Sequence, residues 1–398
     1  MKVLQINSFG NLSTGSIAAD IQRTLAARGG EGMVAFARGE IAPDVPSYRI
    51  GTASDVKVHA LMTRLTDRTG FFSDGATEKL IEQIDAFRPD IVHLHNLHGY
   101  YLHVGKLFKH LKERGMPVVW TLHDCWAFTG HCCYYSMAGC EKWRTGCGRC
   151  PQKRMYPSSL FVDSSARNYR DKKRLFNGLN MRLVAVSDWL RKQAEQSFLS
   201  AYPVETIYNG VDVNVFRPTA SSFRAKYGLE NKTVVLGVAS TWDVRKGLDD
   251  FIRLSKMLDD SCRIVLVGTS ERDRRRLPAN ILAFGRTDGA AALAEIYAAA
   301  DLFFNASVEE TFGMPTVEAL ACGTPAVVYH ATALPETVDE SCGFVVSPHD
   351  LSAVRDIIAQ GKFRRMTEAD CRRGAMRFEK STQYEKYIAL YEEICAGR

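Results

Sequence analysis

The sequence predicts an α/β protein built from two doubly wound, Rossmann-like domains in series, and three observations carry that expectation. Short apolar runs alternate with helix-length amphipathic stretches, the pattern of a parallel sheet covered on both faces. That rhythm breaks once and then restarts. The 398 residues also exceed the roughly 250–300 at which one hydrophobic core stops growing.

In the first half the expected strands are residues 3–6, 34–37, 91–95, 118–123 and 183–187. In the second they are 234–239, 263–268, 281–285, 302–307, 326–329 and 344–346. The turn-rich stretch 208–218 is the expected linker. Domains are assigned as 1–195, carrying a cysteine-rich insertion over 125–151, and 196–378. A terminal segment, 379–398, places Tyr384, Tyr387, Ile388, Tyr391 and Ile394 at helical spacing and is expected to pack back on the first domain. Two such domains in sequence imply a cleft, and ligands of open α/β sheets bind beyond the carboxyl ends of the strands.

Composition excludes several classes. With 46% hydrophobic and 24% charged residues, the chain is neither disordered nor collagen-like. No apolar run approaches the ~20 residues of a membrane helix. The opening residues Met1 to Asn7 are too short an apolar stretch for a signal peptide, so a cytoplasmic location is expected. The net charge of +6 is uneven: between Lys142 and Lys192 lie 13 Lys and Arg against Asp163, Asp171 and Asp188, a local +10. An anionic partner or a solvated helix face accounts for such a block equally well. Nucleic acid is disfavoured because no recognised binding module is present.

The densest chemistry lies in Glu309-Glu310-Thr311-Phe312-Gly313-Met314-Pro315-Thr316-Val317-Glu318. Gly313 and Pro315 imply a loop that opens a helix near Pro315, whose fixed φ suits a first turn. Glu310 then sits in the loop and Glu318 in the first helical turns. N–H groups at a helix start favour an anion such as phosphate, and carboxylates beside it suit sugar hydroxyls. The stretch predicts a nucleotide-sugar pocket.

Here the sequence resembles the retaining glycosyltransferases of family 4, which have the GT-B fold. Glu310, Phe312, Gly313, Glu318, Ala319, Ala321, Gly323 and Pro325 match their E-x7-E signature. The resemblance also includes the linker Ile207-Tyr208-Asn209-Gly210-Val211-Asp212 and Lys246-Gly247 at a helix start. The resemblance implies a hexosyltransferase in which Glu310 holds the transferred sugar and Glu318 the ribose. It also implies that the Phe312–Met314 backbone faces sugar and diphosphate, and that Lys246 neutralises the diphosphate. Ser240 stands where the family commonly has Arg, leaving either a neutral phosphate contact by Ser240 or replacement by Arg245. Arg286 lies in the expected base-binding loop. The implied donor is a UDP- or GDP-sugar, with no cofactor needed for catalysis.

In the first half, Gly15 closes the loop Phe9-Gly10-Asn11-Leu12-Ser13-Thr14-Gly15, a candidate phosphate or acceptor cradle. His123 ends a strand, where the resemblance places a histidine beside the donor sugar. His93, His95 and His98 look like a metal array, but packing or acceptor contact suits them better. Six of the eleven cysteines fall within residues 125–150. Cys147-x2-Cys150 with Cys140 and Cys132 would make a structural zinc site; disulfides or free thiols are the alternatives. Similar segments occur in the colanic-acid and capsular polysaccharide subset of the family. Nearby Trp126, Phe128, Tyr134, Tyr135 and Trp143 suit sugar stacking or local packing.

The resulting expectation is a retaining, front-side glycosyl transfer to a glycan or lipid-linked acceptor of cell-surface polysaccharide, at the inner face of an anionic membrane. A sugar-nucleotide epimerase on the same fold and a noncatalytic scaffold are the competing readings.

Overall fold

The computed structural model describes residues 1–11 and 14–397; Leu12 and Ser13 of the first βα loop lie outside the described residues. The chain forms two compact units, 1–208 with 381–398, and 209–380.

The first unit runs β1 (Lys2–Phe9), α1 (Thr14–Ala27), β2 (Glu31–Arg38), β3 (Ser47–Arg49), α2 (Ala53–Thr66) and α3 (Asp74–Phe87). It continues with β4 (Ile91–Leu94), α4 (Val104–Glu113), β5 (Val118–Leu122), α5 (Ser165–Phe176), β6 (Met181–Ala185), α6 (Asp188–Glu195) and β7 (Val204–Thr206). The second unit runs α7 (Phe223–Tyr227), β8 (Thr233–Val238), α8 (Leu248–Ser255), β9 (Cys262–Val267), α9 (Glu271–Arg274), β10 (Ile281–Phe284) and α10 (Ala290–Ala298). Then follow β11 (Leu302–Asn305), α11 (Met314–Ala321), β12 (Ala326–Tyr329), β13 (Gly343–Val346), α12 (Leu351–Ala359) and α13 (Glu368–Met376), after which the terminal helix α14 (Lys380–Ala396) belongs to the first unit.

Both sheets are parallel. Their orders are β3-β2-β1-β4-β5-β6-β7 and β10-β9-β8-β11-β12-β13. Each order reverses direction once, between β1 and β4 and between β8 and β11, and those crevices are where doubly wound sheets bind ligands.

Two strands had no signal in the sequence. Ser47-Tyr48-Arg49 and Val204-Glu205-Thr206 are three-residue edge strands without an apolar run. Because β7 pairs with β6, residues 196–208 belong to the first unit, and the boundary expected at 195 moves to Tyr208. The crossing chain is pinned within the second unit, where the Val211 N–H donates to the Phe378 carbonyl at 2.7 Å and the Lys380 N–H to that of Val211 at 3.0 Å.

α14 contributes Tyr384, Tyr387, Ile388, Leu390 and Tyr391 to a core with Val3, Ile21, Ile91, Val119 and Val184. Its polar face is tied by Arg28 to Glu385 and by Arg182 to Glu393. Burying each of those large side chains contributes roughly 1.5–3 kcal/mol, so docking of α14 rests on the apolar stripe and little on the exposed pairs.

The cysteine-rich insertion has its own small aromatic core. Trp143 lies 5.3 Å from the Phe128 ring and 5.0 Å from that of Tyr135. Trp126, Phe128, Tyr135 and Trp143 are all buried, so these rings serve packing. The insertion is anchored to the end of α2, where Asp67 pairs with His131 and accepts from the Ser164 N–H at 2.8 Å.

Candidate active site

In the second unit the sequence-predicted residues gather on the loops after β8 and β11, beside the switch point. α11 begins at Met314 with Pro315 in its first turn, and Gly313 caps it at φ 108°, a left-handed backbone that favours glycine. Gly313 brings no side chain to those first N–H groups, which leaves the positive end of the helix available to an anion. Phe312 is buried and its ring meets Phe378 at 5.3 Å, holding the loop from beneath.

Lys246 Nζ is ion-paired with Glu310 Oε1, their side chains 20% and 13% exposed. Ser307 Oγ donates to the same oxygen at 3.4 Å. Both partners remain in reach of water, so a ligand anion can draw the ammonium away without stranding a buried charge. Thr332 fixes the backbone here: the Glu310 N–H donates to its Oγ1 at 2.8 Å, and that hydroxyl donates to the Glu310 carbonyl at 2.5 Å. It lies 22 residues downstream at φ 47°, a contact that no local pattern announced. Gly247 holds the other loop close. At φ 72° its Cβ position lies 2.4 Å from the Ala306 carbonyl oxygen, so only glycine lets β8 and β11 loops touch.

Glu318 accepts from Tyr297 OH at 2.9 Å. Burial pushes its carboxyl up to about 7, against the lowering effect of that hydrogen bond. Ser240 is exposed just after β8. Arg245 is bound by its near neighbour Asp243, with Nη2 at 2.7 Å and Nε at 3.2 Å from Oδ2, which the sequence reading did not foresee. Arg286 is exposed in the loop after β10.

In the first unit Gly15 is buried in the first turn of α1. His123 follows β5 and is 7% exposed. It stacks on His95 at 5.3 Å, with His95 Nδ1 and His123 Nε2 3.0 Å apart. His93 lies between Tyr391 OH, 2.5 Å from Nδ1, and Thr121 Oγ1, 2.8 Å from Nε2. Burial holds His93 and His95 well below the usual imidazole range, and it lowers His123 to about 4. The three rings are neutral, and His93 and His95 pack as interior side chains.

The four-cysteine zinc set is not assembled. Among the described residues, the group of three ligand atoms within 4.8 Å of one another is His98, Asp124 and Cys133, none of them in the expected set. Asp124 is already satisfied, taking His98 Nε2 at 2.6 Å and the Trp126 N–H at 2.8 Å, as a buried pair must be. Cys132 instead donates to Cys150, which draws the Cys150 thiol down to about 7, and Cys147 Sγ accepts from the Gly130 N–H at 3.1 Å.

In the basic block Arg167, Arg170, Lys173 and Arg174 are exposed on α5, while other members are engaged internally. Lys172 is fully buried, donating to the carbonyls of Trp126 at 2.7 Å and Thr129 at 3.1 Å. Arg167 and Arg174 share Asp171, while Arg191 is shared by Asp188 and Glu195.

Two parallel, doubly wound sheets with this glutamate–lysine pocket define a glycosyltransferase of GT-B architecture. Residues 14–215 match the family model described as Glycosyltransferase Family 4, and 232–360 match Glycosyl transferases group 1; the chain belongs to glycosyltransferase family 4. Among its relatives is a putative colanic acid biosynthesis glycosyl transferase, WcaC, of Escherichia coli K12, 24% identical over 77% of each chain. A D-inositol 3-phosphate glycosyltransferase of Saccharomonospora viridis is 31% identical over 49% of this chain and 51% of its own. Among solved structures, sucrose-phosphate synthase from Thermosynechococcus elongatus superposes with TM-score 0.73 at 17% identity, covering both chains fully. Anabaena Alr3699/HepE in complex with UDP and glucose gives 0.66 at 19%, covering 99% of each. At these identities the structures speak for the fold.

Proposed function

We propose that this glycosyltransferase moves a hexose from a UDP- or GDP-sugar to a glycan or lipid-linked acceptor of a cell-surface polysaccharide, with retention of anomeric configuration. The observation that carries the reading is the partly exposed Lys246–Glu310 pair beside the start of α11, where Gly313 supplies no side-chain cap. A donor diphosphate would take Lys246 and the α11 N–H groups, while Glu310, released from the lysine, accepts from hydroxyls of the transferred sugar. Glu318 serves the ribose, Phe312, Gly313 and Met314 supply main-chain contacts, and Ser240 lines the phosphate side. Arg245 contributes less, since Asp243 already holds its guanidinium, and Arg286 serves the base.

Front-side displacement follows from the absence of a nucleophilic carboxylate in the motif. The acceptor oxygen bonds to the anomeric carbon on the face that the phosphate leaves. Its proton passes to the departing phosphate oxygen, whose charge Lys246 and the helix start stabilise. His123 carries, by the family resemblance, the proposed role of a sugar-contacting residue. A polysaccharide acceptor is supported by the WcaC relative. A thermal-shift screen across sugar nucleotides tests donor binding, with a UDP- or GDP-hexose expected to raise Tm. No shift with any sugar nucleotide would reject the assignment. The anomeric proton coupling of the product tests retention.

An anionic membrane surface is proposed as the place of work. No helix among the described residues is long and apolar enough to cross a membrane. Val58, Leu61 and Leu65 nevertheless stand exposed along α2, beside Leu160, Phe161 and Val162, with Phe161 77% exposed. The Leu160 N–H donates to the Arg64 carbonyl at 2.8 Å, joining the two segments, and Lys153 Nζ donates to the Phe161 carbonyl at 3.0 Å. Apolar tips rimmed by cations suit anionic headgroups. Sedimentation with phosphatidylglycerol vesicles should fall several-fold in Phe161→Asp, and equal retention on neutral vesicles would reject this site.

A further inference from the structure

Tyr297 lies in the last turn of α10 with its ring wholly inside the second unit. Phe216 meets that ring edge-on at 6.1 Å and Phe303 at 5.7 Å, so the phenol is held on two sides. Its main chain is held as well: the Tyr297 carbonyl accepts from Thr324 Oγ1 at 2.7 Å and from the Ala300 N–H at 3.0 Å. Phenylalanine would serve this packing equally, and a buried hydroxyl costs free energy unless it is paired. The hydroxyl of Tyr297 is paired with a single group, donating to Glu318 Oε2 at 2.9 Å.

That bond acts on Glu318 in two ways. The terminal torsion of a glutamate is broad and two-fold, and a fixed donor on Oε2 selects one setting of it, leaving Oε1 to a ligand. The donor also favours the carboxylate over the acid, against the burial that favours the acid. Burial keeps the phenol itself protonated, well above its usual range, so it donates throughout the neutral range. Cys322, one turn further along α11, is pushed up to about 12 by burial and stays a neutral thiol. Arg372, on the neighbouring α13, is spent on the carbonyls of Ala321 and Val213.

We propose that Tyr297 is a positioning residue of the nucleotide pocket, occupying Glu318 Oε2 so that Oε1 is aimed at the ribose hydroxyls of the donor. The inference rests on the reading of Glu318 as the ribose ligand, and Tyr297 acts only through it. The arrangement gives the ribose one fixed acceptor oxygen in place of a carboxylate free to rotate, which cuts the ordering that binding would otherwise require.

Tyr297→Phe keeps the ring and removes only the donor. Two measurements on the full-length protein follow it on both sides of pH 7. One is the Glu318 carboxyl signal under 13C-glutamate labelling, assigned by its loss in Glu318→Gln; the other is calorimetric affinity for UDP and for GDP. The wild-type carboxyl should titrate near 7, with nucleotide affinity levelling off above that point. In Tyr297→Phe both inflections should move up by about one pH unit, the scale of a hydrogen bond to a charged group. Affinity at pH 7 should then be about fivefold weaker or worse, with part of the loss persisting on the alkaline plateau, where only the aim differs. In a Glu318→Gln background the same substitution should change affinity by no more than about twofold, the scatter of uncoupled sites. A Tyr297 that merely packs would lower Tm and leave titration and pH profile in place. An unmoved titration, or an equal loss of affinity in the Glu318→Gln background, overturns the proposal. A carboxyl that shifts as expected while Glu318→Gln costs no affinity for either nucleotide would uphold the Tyr297–Glu318 coupling and reject the ribose contact, so the two failures are separable.

Discussion

The two units place their chemistry at the same topological address, the loops beside a sheet's switch point, and fill it with opposite electrostatics. In the second unit Lys246 and Glu310 are charged, paired and partly wet. In the first, His93, His95 and His123 are buried and uncharged. A wet ion pair costs little to open, so ligand charge can rearrange it. A dry, neutral column cannot change its charge and acts only by where its hydrogen atoms are held. The donor pocket is thus built to respond, and the histidine column to position.

The sharpest way to break that contrast is Lys246→Ala. If Lys246 neutralises departing diphosphate, kcat should fall on the order of 10²–10³-fold, as for loss of a transition-state charge stabiliser, and steady-state transfer assays would show it. A fall of about tenfold or less, the scale of one neutral hydrogen bond, would mean that the pair is structural. Glu318 gives a smaller, pH-dependent effect. Its folded carboxyl near 7 lies above the unfolded value, so the folded state holds an extra proton between the two, and stability falls as pH rises through that window. Donor affinity runs the other way, because the carboxylate accepts from ribose hydroxyls better than the acid does. Affinity should tighten by up to about tenfold per pH unit below 7 and level off above it. Calorimetric titration of Glu318→Gln should give a flat profile.

The legible part of this molecule was whatever repeats locally. Apolar runs announced eleven of the strands, and the E-x7-E spacing with Gly313 and Pro315 announced the pocket loop and its helix, which starts one residue before Pro315. What stayed hidden was set by distant partners. Thr332 pinning Glu310, and Asp243 holding Arg245, depend on how loops meet in space. The cysteines depend on the same thing: Cys147-x2-Cys150 has a zinc-like spacing, but the hydrogen bond to the Cys150 thiol comes from Cys132, 18 residues upstream. The buried Gln5, bonded to Ala18 and His95, did leave a trace: a polar residue in an apolar strand is the mark of a buried hydrogen-bond network.

Lys172 offers the smallest and most discriminating test of the neutral interior. It lies in the most basic stretch of the sequence yet is 1% exposed, its Nζ 3.3 Å from the centre of the Trp126 ring. Burial pushes its ammonium down to about 7, against the raising effect of the Cys133 thiol. Between that value and the unfolded lysine near 10.5, the unfolded chain holds a proton that the folded chain has released. Stability from this residue therefore rises with pH across that window. Lys172→Met removes the titration and leaves the Trp126 and Thr129 carbonyls without their donor, at a cost of about 1–3 kcal/mol. Urea midpoints measured from pH 7 to 9 should climb in the wild type relative to Lys172→Met. Parallel curves would show that the ammonium stays charged inside the first unit, and that its interior tolerates charge as the second unit's pocket does.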